Sequence, residues 1–185
     1  MRRLVLVLTF FLMMPLLAWA RDASWAVPKA LPGVSNLNQV SPTLFRSAQP
    51  TAEGFKALEN KLKVQTDVDL RLNHSDAPLL QGTQIVSVAA PMSVFMSEAD
   101  LIKALKLVTT AEKHGAVVLH CERGADRTGA VIALYRVVVQ GWTKEKAITE
   151  MEHGGFHFDF LQINIPYLIR HADVAAIRAT LAKGP

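Results

Sequence analysis

From Ser41 onward, short apolar runs alternate with longer stretches in which apolar residues recur every three or four positions, the rhythm of strands alternating with helices. Thr43 to Ala48 and Val64 to Leu70 suit strands, and Thr51 to Leu62 between them puts Phe55, Leu58 and Leu62 on one helical face. An Asp/Asn/Pro/Gly-containing loop then leads to a β-rich piece, Gln84 to Ala89. Ser97, three residues before Asp100 and ahead of Leu101, Leu105 and Val108, predicts a capped amphipathic helix that Gly115 stops, with Lys103, Lys106 and Lys113 on its solvated face. Ala116 to His120 is a short apolar run of the kind buried in a parallel sheet, and Thr128 to Gln140 is apolar nearly all round, as a central helix is. Thr143 caps a further helix to His153, Gly154-Gly155 turns the chain, and Asn164 to Leu181 is expected to be helical after Pro166. The pattern predicts an α/β fold with a central, mostly parallel sheet of four or five strands flanked by helices.

Residues before Ser41 do not share this rhythm. Arg2 and Arg3, the apolar run Leu4 to Leu17 and the small-residue ending Ala18-Trp19-Ala20 have the layout of a secretory signal peptide over residues 1–20, and the apolar run is shorter than a bilayer crossing needs. Residues 21–40, with Pro28, Pro32 and Gly33, read as an extended lead-in, and residues 41–185 as one domain. The formal charge is +4, and Arg2 and Arg3 contribute two of those positives, so nothing in the composition supports nucleic-acid binding. The expected location is periplasmic or secreted. A lone cysteine, Cys121, cannot form an internal disulfide there.

That cysteine ends the apolar run and opens His120-Cys121-Glu122-Arg123-Gly124-Ala125-Asp126-Arg127-Thr128-Gly129. A loop of this kind at the carboxyl end of a buried strand, leading straight into a helix, cradles phosphate: backbone N–H groups of Glu122, Arg123, Gly124, Ala125, Asp126 and Arg127 converge on its oxygens, and the helix adds its positive end. The Arg127 fork pairs two oxygens at once, and the same field depresses the thiol pKa so that Cys121 is a nucleophile at neutral pH. Thr128 can donate its hydroxyl to the sulfur, Gly129 permits close approach of helix and strand, and His120 is a supporting residue that holds the loop from beneath.

Cys121 through Arg127 followed by Thr128 resembles the Cys-x5-Arg-Ser/Thr signature of the cysteine-dependent protein tyrosine and dual-specificity phosphatases. Ser41 to Pro50, Ala133 to Trp142 and Gly154-Gly155-Phe156 extend the likeness to the exported tyrosine phosphatases of Gram-negative bacteria, the TpbA-like group, over roughly residues 41 to 156. The resemblance implies a dual-specificity-phosphatase-like fold, Cys121 as nucleophile, Arg127 as phosphate clamp, a phosphocysteine intermediate, and no metal or organic cofactor. It implies as partner a phosphorylated periplasmic protein or the periplasmic face of a membrane protein.

Such enzymes usually take a general acid from a loop some thirty residues before the cysteine, but here Ala90 to Ser97 contains no carboxylate. Glu98 and Asp100 suit the start of a helix, where they balance its dipole. Asp126 has two readings, an acid within the Gly-x-Asp-Arg-Thr-Gly loop or a carboxylate that shapes it. Arg123 is either a docking point for polyanions such as inositol phosphates or a solvated side chain, and Arg46 and Arg71 close predicted strands near the site. His153, His157, Asp159 and His171 lack metal-site spacing. The competing functions are an inositol phosphate phosphatase, a phosphate-binding module without turnover, and a rhodanese-like sulfur carrier.

Overall fold

The computed structural model describes residues 21–183, so the signal-peptide expectation for residues 1–20 lies outside the described residues. The sheet contains β1 (Val27–Pro28), β2 (Asn38–Gln39), β3 (Leu44–Ser47), β4 (Val64–Asp69), β5 (Val86–Ala89) and β6 (Ala116–His120) in the spatial order β1-β2-β3-β6-β4-β5. Its central part is parallel: β6 lies between β3, which aligns Ser47 with His120, and β4, which aligns Asp69 with His120. The α/β class and parallel core match the sequence pattern.

Six helices cover the sheet: α1 (Ala52–Leu62), α2 (Glu98–Ala111), α3 (Asp126–Val138), α4 (Lys144–His153), α5 (Asn164–His171) and α6 (Val174–Ala182). Successive residues of β6 point to opposite faces: Val118 joins Phe55 and Leu58 of α1, whereas Val117 and Leu119 join Leu101, Leu105, Ile132 and Ile148 on the other side. Thr51 and Thr143 cap α1 and α4, and Ser97 with Asp100 forms a reciprocal capping box at α2, which gives Asp100 its structural role. The predicted final helix is two helices, because Ala172 leaves helical geometry and Asp173 starts α6 by accepting from the Ala176 N–H.

Residues 21–40, expected as an extended lead-in, pack against the rest of the domain. They supply β1 and β2, two strands of two residues each that pair antiparallel beside β3 and raise the strand number above the four or five expected. Ala26, Val34, Leu37 and Val40 are buried. The Ala26 N–H donates to Glu150, whose carboxylate is paired in the interior with Arg136 at 2.6 and 2.7 Å, while Arg136 also donates to the Val40 carbonyl. Strands this short are set by pairing with a neighbour and carry no periodicity of their own.

Candidate active site

The carboxyl ends of β3, β4 and β6 meet where Cys121 leaves the sheet, and each of them supports the loop that follows. A loop whose amides point inward must turn its carbonyls outward, and buried carbonyls need donors. Every carbonyl from Cys121 to Ala125 has one. His120 Nδ1 lies 3.3 Å from the Cys121 oxygen, the Gln49 N–H donates to Glu122 at 3.1 Å, and Asn36 Nδ2 donates to Arg123 at 3.0 Å. Arg46 Nη2 donates to Gly124 at 2.7 Å and Ala125 at 3.4 Å, and the Gly129 N–H closes on Ala125 at 2.7 Å. Gly124 takes φ +67° and lies so close to β3 that a Cβ there would stand 2.4 Å from the Ser47 carbonyl. No side chain caps the amides of the first turn of α3 at Ala125, which leaves them for an anion.

Cys121 is buried at the floor of this loop. Burial alone would push its thiol up, but the hydroxyl and amide of Thr128, the charge of Arg127 and the Gly124 amide outweigh it and hold the thiol below its ordinary value. The Thr128 hydroxyl has no nitrogen or oxygen partner, which leaves it for the sulfur. Arg127 is half-buried, with Nη1 3.5 Å from the Leu70 carbonyl. The structure thus places the Thr128 hydroxyl and amide, the Gly124 amide and the Arg127 charge around the Cys121 sulfur. Gly129, expected to ease the approach of helix and strand, faces α4: a Cβ there would meet the Met151 side chain at 3.0 Å and lie 3.7 Å from the Arg46 guanidinium.

Asp126 is a brace in this structure. Its Oδ2 accepts from Arg123 Nη2 at 2.7 Å and its Oδ1 accepts from the Asp159 N–H at 2.9 Å, two contacts that tie residues 155–163 to the phosphate loop. Arg123, with a side chain 61% exposed, is engaged in that pair. The loop at residues 90–97 is joined to the same rim by Asn164 Nδ2, which donates to the Val94 carbonyl at 2.8 Å. These two segments expose Phe95, Phe160, Leu161 and Ile163.

The remaining sequence candidates also find places. Arg46 is buried beneath the loop with its guanidinium 3.8 Å from the Phe156 ring centroid, and burial pushes it down to about 10. Arg71 donates to Gln49 Oε1 at 2.8 Å and lies 3.3 Å from His74. His120 is fully buried, its Nε2 2.9 Å from Asp67 and 3.0 Å from Asp76. Burial would lower its pKa, but the two carboxylates raise it to about 10. Neither aspartate, nor Gln49 or Asn36, stands out in the sequence. Their only sign is the Asp-x-Asp of β4 and the polar loop after it, which becomes informative once β4 is aligned with β6.

Among the described residues, the groupings of imidazole and carboxylate are Asp67–Asp76–His120 and Asp69–His74–Asp76, not the scattered His153, His157, Asp159 and His171. In the first, His120 Nε2 sits 2.9 and 3.0 Å from the two carboxylates, at ion-pair distance from both. No helix among the described residues is long and apolar enough to cross a membrane.

A buried cysteine whose thiol is held below its ordinary value, under a braced loop that leads into an uncapped helix start on a sheet with a parallel core, is the arrangement of a cysteine-dependent phosphatase. The model of the tyrosine phosphatase family matches residues 33–159, and the chain belongs to that family. It is 36% identical over 167 residues to the dual specificity protein phosphatase TpbA of Pseudomonas aeruginosa, a match covering 90% of this chain and 75% of that protein. The crystal structure of P. aeruginosa TpbA superposes with a TM-score of 0.78 at 35% identity, over 88% of this chain and 99% of that one; a variant of TpbA in complex with pTyr gives 0.77. The catalytic domain of the PP-IP phosphatase SIW14 of S. cerevisiae, in complex with citrate, gives 0.72 at 26% identity, over 84% of this chain and 95% of that one. The chain is therefore an enzyme, a phosphoric monoester hydrolase of the protein tyrosine and dual-specificity class.

Proposed function

We propose that this protein is an exported phosphatase that transfers the phosphoryl group of a phosphotyrosine-type ester to Cys121 and then to water. The observation that carries the reading is the phosphate loop, whose carbonyls are all held from outside so that its amides face the sulfur. The thiolate attacks phosphorus in line, the P–O bond to the leaving group breaks, and Arg127 with the loop amides holds the equatorial oxygens. Water then attacks the phosphocysteine, and the Thr128 hydroxyl steadies the departing thiolate.

The absence of a carboxylate between Ala90 and Ser97, together with the engagement of Asp126, favours esters that need least protonation of the leaving oxygen. Phenolates are such leaving groups. The rim points the same way, because Phe95, Phe160, Leu161 and Ile163 present apolar surface to an aryl group and its flanking peptide. The second reading, an inositol phosphate phosphatase, rests on the likeness to SIW14. Arg123, the cation that sequence offered it, is 61% exposed and gives one nitrogen to Asp126.

A panel of phosphotyrosine, phosphoserine and phosphothreonine peptides beside soluble inositol phosphates distinguishes these readings. The expected result is the highest kcat/KM for phosphotyrosine peptides, by about tenfold or more over alkyl phosphates, as differential leaving-group dependence requires. A preference for inositol phosphates would select the second reading. Residues 1–20 support export, with the periplasm as destination and a periplasmic phosphoprotein, or the periplasmic face of a membrane protein, as substrate. N-terminal sequencing of the periplasmic fraction after expression of the full chain should begin at Arg21; recovery of the uncleaved chain in membranes would indicate a retained anchor.

A further inference from the structure

Asp67, Asp76 and His120 are buried together, remote from any role assigned above to the reacting atoms. His120 Nε2 contacts both carboxylates while Nδ1 lies against the Cys121 carbonyl. Carboxylate oxygens 2.9 and 3.0 Å from Nε2 and a carbonyl 3.3 Å from Nδ1 face the ring on both sides, surroundings that suit the doubly protonated imidazolium. Asp76 has a second attachment: its Oδ1 accepts from Gln49 Nε2 at 2.5 Å, and the Gln49 backbone N–H holds the Glu122 carbonyl. The two oxygens of one carboxylate thus lead, through one residue each, to the first two carbonyls of the phosphate loop.

We propose that Asp76, assisted by Asp67, is a positioning residue for the nucleophile: it fixes His120 as an imidazolium and Gln49 in register, and so aims the Cys121 and Glu122 carbonyls outward and their following amides at the sulfur. The proposal rests on Cys121 as the nucleophile. The groups that face His120 are Asp67 from β4 and Asp76 from the loop after it, with the Phe55 ring of α1 at 6.2 Å; His74, 3.2 Å from Asp76, and Arg71 form the outer layer. Asp67 is fastened in turn by Ser87 of β5 at 2.9 Å, so the device links three strands to one loop. The pKa directions agree. Burial alone would raise Asp76, but the imidazolium, Gln49 and His74 outweigh it and lower that carboxyl, while burial raises Asp67.

Two measurements on the full domain test this. Ring-nitrogen NMR of the wild-type protein should show His120 protonated at both nitrogens through pH 8; a neutral ring at pH 7 overturns the proposal whatever any variant does. Asp76→Asn should shift the alkylation profile of Cys121 by iodoacetamide to higher pH and slow alkylation at pH 6 by about fivefold, with a loss in kcat of about tenfold and a smaller change in KM, as loss of an orienting group behind a reactive one does. An unchanged alkylation profile in that variant overturns it as well. Alkylation does not depend on turnover, so an ordinary thiol in the wild-type protein would signal failure of the nucleophile assignment itself. Should the variant not fold, the wild-type ring spectrum decides.

Discussion

At the scale of single residues, the site is a contest over where a few charges settle. Cys121 is buried, yet its thiol is held below its ordinary value because Thr128, Arg127 and the Gly124 amide outweigh desolvation. Asp126 shows the opposite arrangement, with both of its oxygens occupied by Arg123 and the Asp159 N–H. If it braces the rim, Asp126→Asn lowers kcat/KM for aryl and alkyl phosphates by the same factor, about three- to tenfold, and leaves the acidic limb of the pH profile in place. A larger loss for the alkyl ester with a flattened acidic limb would make it the general acid. Cys121, Arg127 and Thr128 were legible in the sequence because they lie together on one loop and helix start. Asp67, Asp76, Gln49 and Asn36 were not, since each comes from a different element and only the sheet alignment brings them to the loop.

At the scale of elements, the phosphate loop takes its shape from its neighbours. Gly124 is the tightest point, with left-handed backbone and the carbonyl of β3 where a side chain would begin. Gly124→Ala must push the loop from Ser47 and loosen the Arg46 contact. It is expected to cost roughly 1–3 kcal/mol of stability, the usual penalty for strain at such a backbone position. Denaturant unfolding checks the first effect, and a rise in the pH at which Cys121 is alkylated checks its consequence at the site; a variant with wild-type values in both would mean that the loop does not lean on β3. The capped helices were readable because Ser97, Asp100, Thr51 and Thr143 act locally. The break between α5 and α6 and the two-residue strands were not, because tertiary packing and antiparallel pairing decide them.

At the scale of the molecule, the buried polar groups couple the site to the stability of the fold. His120 titrates at about 10 in the folded state against an ordinary 6.5, so its contribution is fully present below about pH 6.5 and fades as pH rises through about 10. Cys121 has the opposite sign: its lowered thiol pKa adds stability above the ordinary thiol value and withdraws it as pH falls. In a Cys121→Ser background the second contribution is gone, and the melting temperature should fall steadily from pH 7 to 10; a flat profile there would remove the imidazolium from the account. The α/β class and the position of the loop were visible in the alternation of strand and helix, whereas the incorporation of residues 21–40 through Ala26, Glu150 and Arg136 needed the packed structure. The most direct test of the central claim is rapid acid quenching of the enzyme with an aryl phosphate, followed by peptide mass spectrometry. The account predicts one phosphoryl group on the peptide containing Cys121, formed in a burst with phenol release and lost in Cys121→Ser; turnover with no such adduct, or with the phosphoryl group on another residue, would contradict it.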